Sequence, residues 1–154
     1  MTTANELVFP VSQATGEAVE AEAVVSPVTF SARYDLDRTT GLISRTDHPL
    51  RGQSVSGRIF VAPGVQGGVA AGWAFLSMRG LGVGPSGLVF GAVNPVMVQG
   101  AVTAGLPIVA GVDPAFFREV ESGDTVRVDP GQRCVVIVRR RAEAAAGDTT
   151  TESR

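Results

Sequence analysis

Between Arg58 and Asp113 the chain carries a single formal charge, Arg79. A stretch that long and that apolar has to be taken out of water, either in a protein core or in a lipid bilayer. Residues 59–112 hold 12 Gly and 4 Pro, and the longest piece free of both runs only from Trp73 to Arg79. A membrane-spanning helix needs ~20 continuous apolar residues, and Gly and Pro at this density punctuate short elements instead. The stretch therefore predicts a buried core of short strands and helices, with no membrane span.

The order of those elements follows from where the punctuation falls. Residues 57–62 read as a buried strand ended by Pro63-Gly64, a glycine loop follows over residues 64–68, and residues 70–78 read as a helix. A strand over residues 86–91, a helix over 95–104 with Pro95 in its first turn, and a strand over 106–110 repeat the alternation. Alternating β and α argue for crossover connections and some parallel pairing. Downstream, Asp113 is a good N-cap for a short helix over 114–120, and residues 125–138 read as a hairpin turning at Pro130-Gly131. Upstream, residues 24–25, 28–32 and 41–44 read as strand. Residues 1–22 and 139–154 show no sustained period and read as flexible N-terminal and C-terminal tails around one domain over 23–138.

Composition removes several classes of function. All 13 basic residues are Arg, so neither a Schiff-base lysine nor a phosphate-loop lysine is present. One His and one Cys do not make a zinc or iron–sulfur ligand set, and Cys134 alone allows no internal disulfide. The net charge of -2, with no basic patterning, speaks against nucleic acid. The first residues lack the basic start and apolar run of a signal peptide, which points to the cytoplasm.

Two glycine motifs compete for attention. Gly82-Val83-Gly84-Pro85-Ser86-Gly87 satisfies the G-x-G-x-x-G string, but here it precedes a strand, where a dinucleotide site needs it to open a helix. It reads as a connection. The loop from Pro63 to Gly72 has the right order, strand before and helix after. Its backbone N–H groups and the helix dipole suit a carboxylate or phosphate, and a tight packed turn accounts for the same residues. His48, beside Asp47 and Pro49, reads as a loop residue or as one member of a hydrolytic pair. Cys134 lies in an apolar run and reads as an inert thiol, Asn94 as an N-cap, and the Arg139-Arg140-Arg141 triplet as a solvated strand end. Trp73, Phe116 and Phe117 read as core or interface hydrophobes.

Taken together, Pro27-Val28-Thr29-Phe30, residues 37–43, Asp47-His48-Pro49-Leu50-Arg51-Gly52-Gln53-Ser54, residues 57–61 with the glycine loop, residues 95–105, Leu106-Pro107-Ile108-Val109 and residues 123–128 resemble the swivel domain of aconitase X. The resemblance covers about residues 24–138. It implies a mixed β/α fold, a swivelling β/β/α domain with a barrel-like sheet and short flanking helices. It also implies a larger catalytic partner carrying an iron–sulfur cluster, no cofactor or metal in this chain, and dehydration of a small hydroxy acid such as hydroxyproline or phosphomevalonate. The substrate-contacting positions carried over are Gly64, Gln66, Gly67, Gly68, Val69 and Ala70 in the loop, with His48. In the family the loop runs into serines, one of them read as the base, whereas Gly68, Val69 and Ala70 stand there in this chain and no side chain in residues 67–71 can transfer a proton. Two functions are expected on that footing. One is the small subunit of a two-chain hydro-lyase; the other is a swivel module that binds an anion or partner without turnover.

Overall fold

Strands β3 (Ile59–Ala62) and β4 (Gly87–Phe90) are buried at every residue, the signature of strands covered on both faces. They lie in a computed structural model that describes residues 6–66 and 69–141. With β1 (Leu7–Thr15), β2 (Val19–Val25), β5 (Ile108–Val112), β6 (Thr125–Asp129) and β7 (Cys134–Arg139) they close a seven-stranded barrel in the order β1-β5-β4-β3-β2-β6-β7. The run β2-β3-β4-β5 is parallel, and the remaining pairs are antiparallel. Helices α2 (Val69–Leu81) and α3 (Pro95–Thr103) cross over between the parallel strands and pack on each other. The single turn α1 (Ala32–Asp35), the short α4 (Pro114–Glu119) and a 3-10 turn at Pro130–Gln132 between β6 and β7 complete the described elements. This is the barrel-like β/α architecture expected. None of the described helices is long and apolar enough to cross a membrane.

Period-two alternation sorts the apolar residues into two cores. Ile59, Val61, Val89, Val109, Val126, Val128, Val135 and Ile137 fill the barrel interior with Phe9 and Phe116, whose rings meet edge to face at 5.4 Å. Phe60, Ala62, Leu88, Phe90, Ile108 and Ala110 point outward from the parallel strands, where Ala74, Phe75 and Met78 of α2 and Met97 and Ala101 of α3 cover them. Phe30 sits at the centre of that layer, 4.8 Å from the Phe60 ring and fully buried. Burying such a ring contributes roughly 2–3 kcal/mol.

The N-terminal segment is not a tail. Residues 7–25 form β1 and β2, and only residues 1–5 of the expected flexible segment lie outside the described residues. Each of these strands serves two partners: β1 pairs with β7 over Leu7–Pro10 and with β5 from Val11 to Thr15. Pro10, which has no N–H to give, sits where β1 changes partner. Likewise β2 pairs with β6 over Val19–Glu22 and with β3 from Ala23. The alternating Ala and Glu of β2 bury only small side chains, so their sequence reads as weakly apolar although the strand is paired on both edges.

Two upstream strands also resolve differently. Of residues 28–32 only Phe30 makes a bridge, to Val65, and Ala32 already begins α1. Residues 41–44 make two isolated bridges, Leu36 to Ile43 and Leu42 to Ser54, within an irregular strap over residues 36–58. At the other end β7 includes Arg139, and Arg140 is held by Glu119, Glu121 and Asp124. The Arg triplet is therefore partly spent inside the fold, and residues 142–154 of the expected C-terminal tail lie outside the described residues. Trp73 is 64% exposed on α2, whereas Phe116 is core.

Candidate functional site at the carboxyl ends of the parallel strands

Strands β3, β4 and β5 run parallel, so their carboxyl ends share one rim, and α2, α3 and α4 all begin there. Ligands of parallel α/β sheets bind at this end, because the exit loops diverge and helix N-termini bring unpaired N–H groups and partial positive charge. Asn94 caps α3 by accepting from the Met97 N–H at 2.8 Å, and Asp113 caps α4 through the Ala115 N–H at 2.9 Å. α2 opens at Val69 from the glycine loop.

That loop is fixed on one side by backbone hydrogen bonds. The Phe30 N–H donates to the Gly64 carbonyl at 2.9 Å and the Gln66 N–H donates to the Phe30 carbonyl at 2.7 Å, zipping residues 64–66 to the segment after β2. On the other side the Ala92 N–H donates to the Pro63 carbonyl at 3.1 Å. A Cβ at Gly91 would stand 2.6 Å from the Pro63 oxygen, so the exits of β3 and β4 approach this closely only because residue 91 is glycine. Of the expected substrate contacts, Gly64 is half-buried and Gln66 exposed on this rim, and Val69 and Ala70 begin α2. Gly67 and Gly68 lie outside the described residues. A groove of about 470 Å³ starts from the same rim between α3 and β1, lined by Gln13, Thr15, Val93, Asn94, Val98 and Gln99 among others.

His48 belongs to a different cluster. Its side chain is 1% exposed, its Nδ1 accepts the Leu50 N–H at 3.0 Å, and its Nε2 lies 3.9 Å from Asp35 Oδ2. Asp35 is equally buried, accepts the Ser31 N–H at 2.9 Å and pairs with Arg45 at 3.0 Å. Burial pushes the imidazole pKa down, against the upward pull of Asp35, and Arg45 adds to the fall. Enclosed in this way, with Nε2 buried and without a hydrogen-bond partner, the imidazole fastens the strap through Nδ1. Asp47 does not orient it, being exposed and paired with Arg45. The hydrolytic pair therefore does not form.

Asp35 was not singled out by its sequence, although its spacing of four from Ser31 is the one local sign that its carboxylate could turn back on that backbone. The G-x-G-x-x-G string is the expected connection, with Gly82 at φ +73° leaving α2 and the chain entering β4 at Gly87. Cys134 is half-buried in β7, where burial raises its thiol pKa and Asp129 adds to the rise. With one cysteine and an enclosed histidine, the residues of this chain do not fit an iron–sulfur cluster.

Residues 9–137 match the sequence profile described as the aconitase X swivel domain. The chain belongs to the aconitase X swivel domain family. This swivel domain is 31% identical over 120 residues to the phosphomevalonate dehydratase small subunit of Methanopyrus kandleri, covering 78% of this chain and 89% of that one. It is 32% identical over 119 residues to the protein of the same name from Archaeoglobus fulgidus, covering 77% and 89%. In three dimensions it resembles Thermococcus kodakaraensis aconitase X in its holo form, with a TM-score of 0.79 at 26% identity over 86% of this chain and 99% of that one. The swivel domain thus spans nearly the full length of a separate small subunit.

Proposed function

We propose that this swivel domain is the small, non-autonomous subunit of a two-chain hydro-lyase that removes water from a small hydroxy acid, with phosphomevalonate the first candidate and a hydroxyproline the next. The observation that carries the reading is the end-to-end match with proteins named phosphomevalonate dehydratase small subunit, which covers 89% of their length. Residues 64–66 and the start of the 13-residue α2 at Val69 lie on the same rim, and backbone amides and a helix dipole there suit a carboxylate or phosphate oxygen. The iron–sulfur cluster is assigned to the larger partner, where it would act as Lewis acid on the leaving hydroxyl. No hydroxyl stands in residues 67–71, so the proton is abstracted by the partner or by another residue.

The test is anaerobic purification of the tagged chain, identification of what remains bound, and assay of the pair for loss of water from phosphomevalonate by mass spectrometry. The expected result is an equimolar, coloured, cysteine-bearing partner and activity found only in the pair. Turnover by the isolated chain would overturn the reading. A stable pair that turns over no hydroxy acid would favour the second reading, a non-catalytic binding module, for which the missing loop hydroxyls speak.

A further inference from the structure

Asp35 ties three segments together from inside the fold. Its side chain is 1% exposed, its Oδ2 accepts the Ser31 N–H at 2.9 Å, and its Oδ1 meets the Arg45 guanidinium at 3.0 Å. The backbone of the same residue is engaged as well. Its N–H donates to the Ser31 carbonyl at 2.8 Å, and its carbonyl accepts the Ser44 N–H of the strap at 2.8 Å. Ser31 is the N-cap of α1 but makes no side-chain cap, so Asp35 closes that helix by reaching back to its first N–H. A helix of four residues does not hold itself together, and this carboxylate fixes where it begins.

The bond to Ser31 acts one peptide away from the rim. The Phe30–Ser31 peptide gives its N–H to Asp35, and its carbonyl accepts the Gln66 N–H at 2.7 Å. The two groups of one planar peptide point in opposite directions, so a carboxylate that holds the N–H aims the carbonyl at Gln66. It also polarises that carbonyl and makes it a better acceptor. Phe30 then bridges Val65 in parallel, with its own N–H on the Gly64 carbonyl, so residues 64–66 follow the plane that Asp35 sets. A buried ion pair contributes little net stability over apolar side chains of the same volume. What the Asp35 carboxylate adds here is direction.

We propose that Asp35 is a positioning residue of the rim: through the Phe30–Ser31 peptide it sets where residues 64–66 stand, and through Arg45 and Ser44 it couples that position to the strap. The inference rests on the dehydratase reading only for its effect on turnover.

The experiment measures site-resolved amide hydrogen exchange by NMR on the full chain, wild type against Asp35→Ala and Asp35→Asn. In Asp35→Ala the Phe30 and Gln66 amides should exchange at least about 10-fold faster, the worth of one hydrogen bond to a buried carboxylate. The Phe60, Val61 and Val89 amides of β3 and β4 should keep their rates. Asp35→Asn, whose amide oxygen still accepts the Ser31 N–H, should restore protection. Unchanged Phe30 and Gln66 rates in Asp35→Ala, or equal acceleration in loop and barrel, overturns the proposal. Should Asp35→Ala not fold, the urea dependence of exchange in the wild type decides. Ser31, Gln66 and Ser44 amides that open together support the coupling, and a Gln66 amide that opens apart from Ser31 overturns it. With the large subunit bound, kcat/KM for water loss from phosphomevalonate should fall about 10-fold in Asp35→Ala and recover in Asp35→Asn. Wild-type kcat/KM in Asp35→Ala overturns the proposal. A wild-type pair without turnover defeats the dehydratase reading, and the exchange rates still decide the role of Asp35.

Discussion

The neutral His48 imidazole accepts the Leu50 N–H through Nδ1, so protonation would have to break that bond and place a charge among buried groups. Its folded pKa lies below the ordinary 6.5, mainly because of burial. The unfolded chain therefore takes up a proton first as pH falls, which favours unfolding. The contribution of His48 to stability is complete above about pH 6.5 and shrinks as pH falls through the lowered pKa. Melting curves between pH 8 and pH 5 should show this loss in the wild type and a flatter profile in His48→Gln, which can still accept the Leu50 N–H. An equal slope in both would exclude His48 as the source. Cys134 offers a second check at this scale. With its thiol pKa raised by burial, it should react with iodoacetamide at neutral pH much more slowly than in urea, and Cys134→Ala should leave the activity of the pair intact.

Between elements, the decisive contacts are few and specific. Asp124, 1% exposed, accepts from the Glu121 N–H at 2.9 Å and from the Arg141 N–H at 2.7 Å while Arg140 lies 3.3 Å away, so one carboxylate clasps the end of β7 to the turn before β6. Asp124→Ala leaves two N–H groups unpaired and removes one of the three carboxylates that hold Arg140, and should cost about 3 kcal/mol in urea unfolding. A change below about 1 kcal/mol would mean that water replaces the carboxylate. On the other face Arg79, the lone charge of the apolar stretch, donates to the Ala104 carbonyl at the end of α3 and so joins the last turns of the two crossover helices. At the rim, Gly91→Ala should destabilise by about 2 kcal/mol or force the β3 and β4 exits apart, because its Cβ meets backbone and not a movable side chain.

At the scale of the whole molecule the barrel depends on its first strand. β1 is the element that joins β5 to β7, and without it both become open edges. Deleting residues 1–15 should therefore yield an insoluble or unfolded product, seen as loss of a cooperative melt. A soluble, cooperatively folding deletion variant would show that the parallel half is stable alone. The exposed Trp73, Leu76 and Leu81 of α2 leave an apolar surface on the helix that opens from the glycine loop.

Much of the parallel half could be read directly from the sequence. The strand–loop–helix order from residue 57 to residue 110, the caps at Asn94 and Asp113, and the final hairpin rest on local signals: a run of β-branched residues, a glycine, a proline in a first turn. Such signals are decided within a few residues and survive folding unchanged. The resemblance of the HPL segment and glycine loop to the aconitase X swivel domain supplied the family. What local signals do not carry is partnership across the chain. The N-terminal residues become strands because β5 and β7 on one side, and β3 and β6 on the other, offer them edges more than 30 residues distant. His48 is enclosed because Asp35 and Arg45 fold over it, and Thr29 faces Gly64 because Phe30 is pulled into a core built from distant aromatics. The sequence by itself determined which segments are short, apolar and turn-bounded. Only the tertiary structure decided which polar groups are sealed and which are left open at the rim, because burial is a property of the packed molecule and not of any segment.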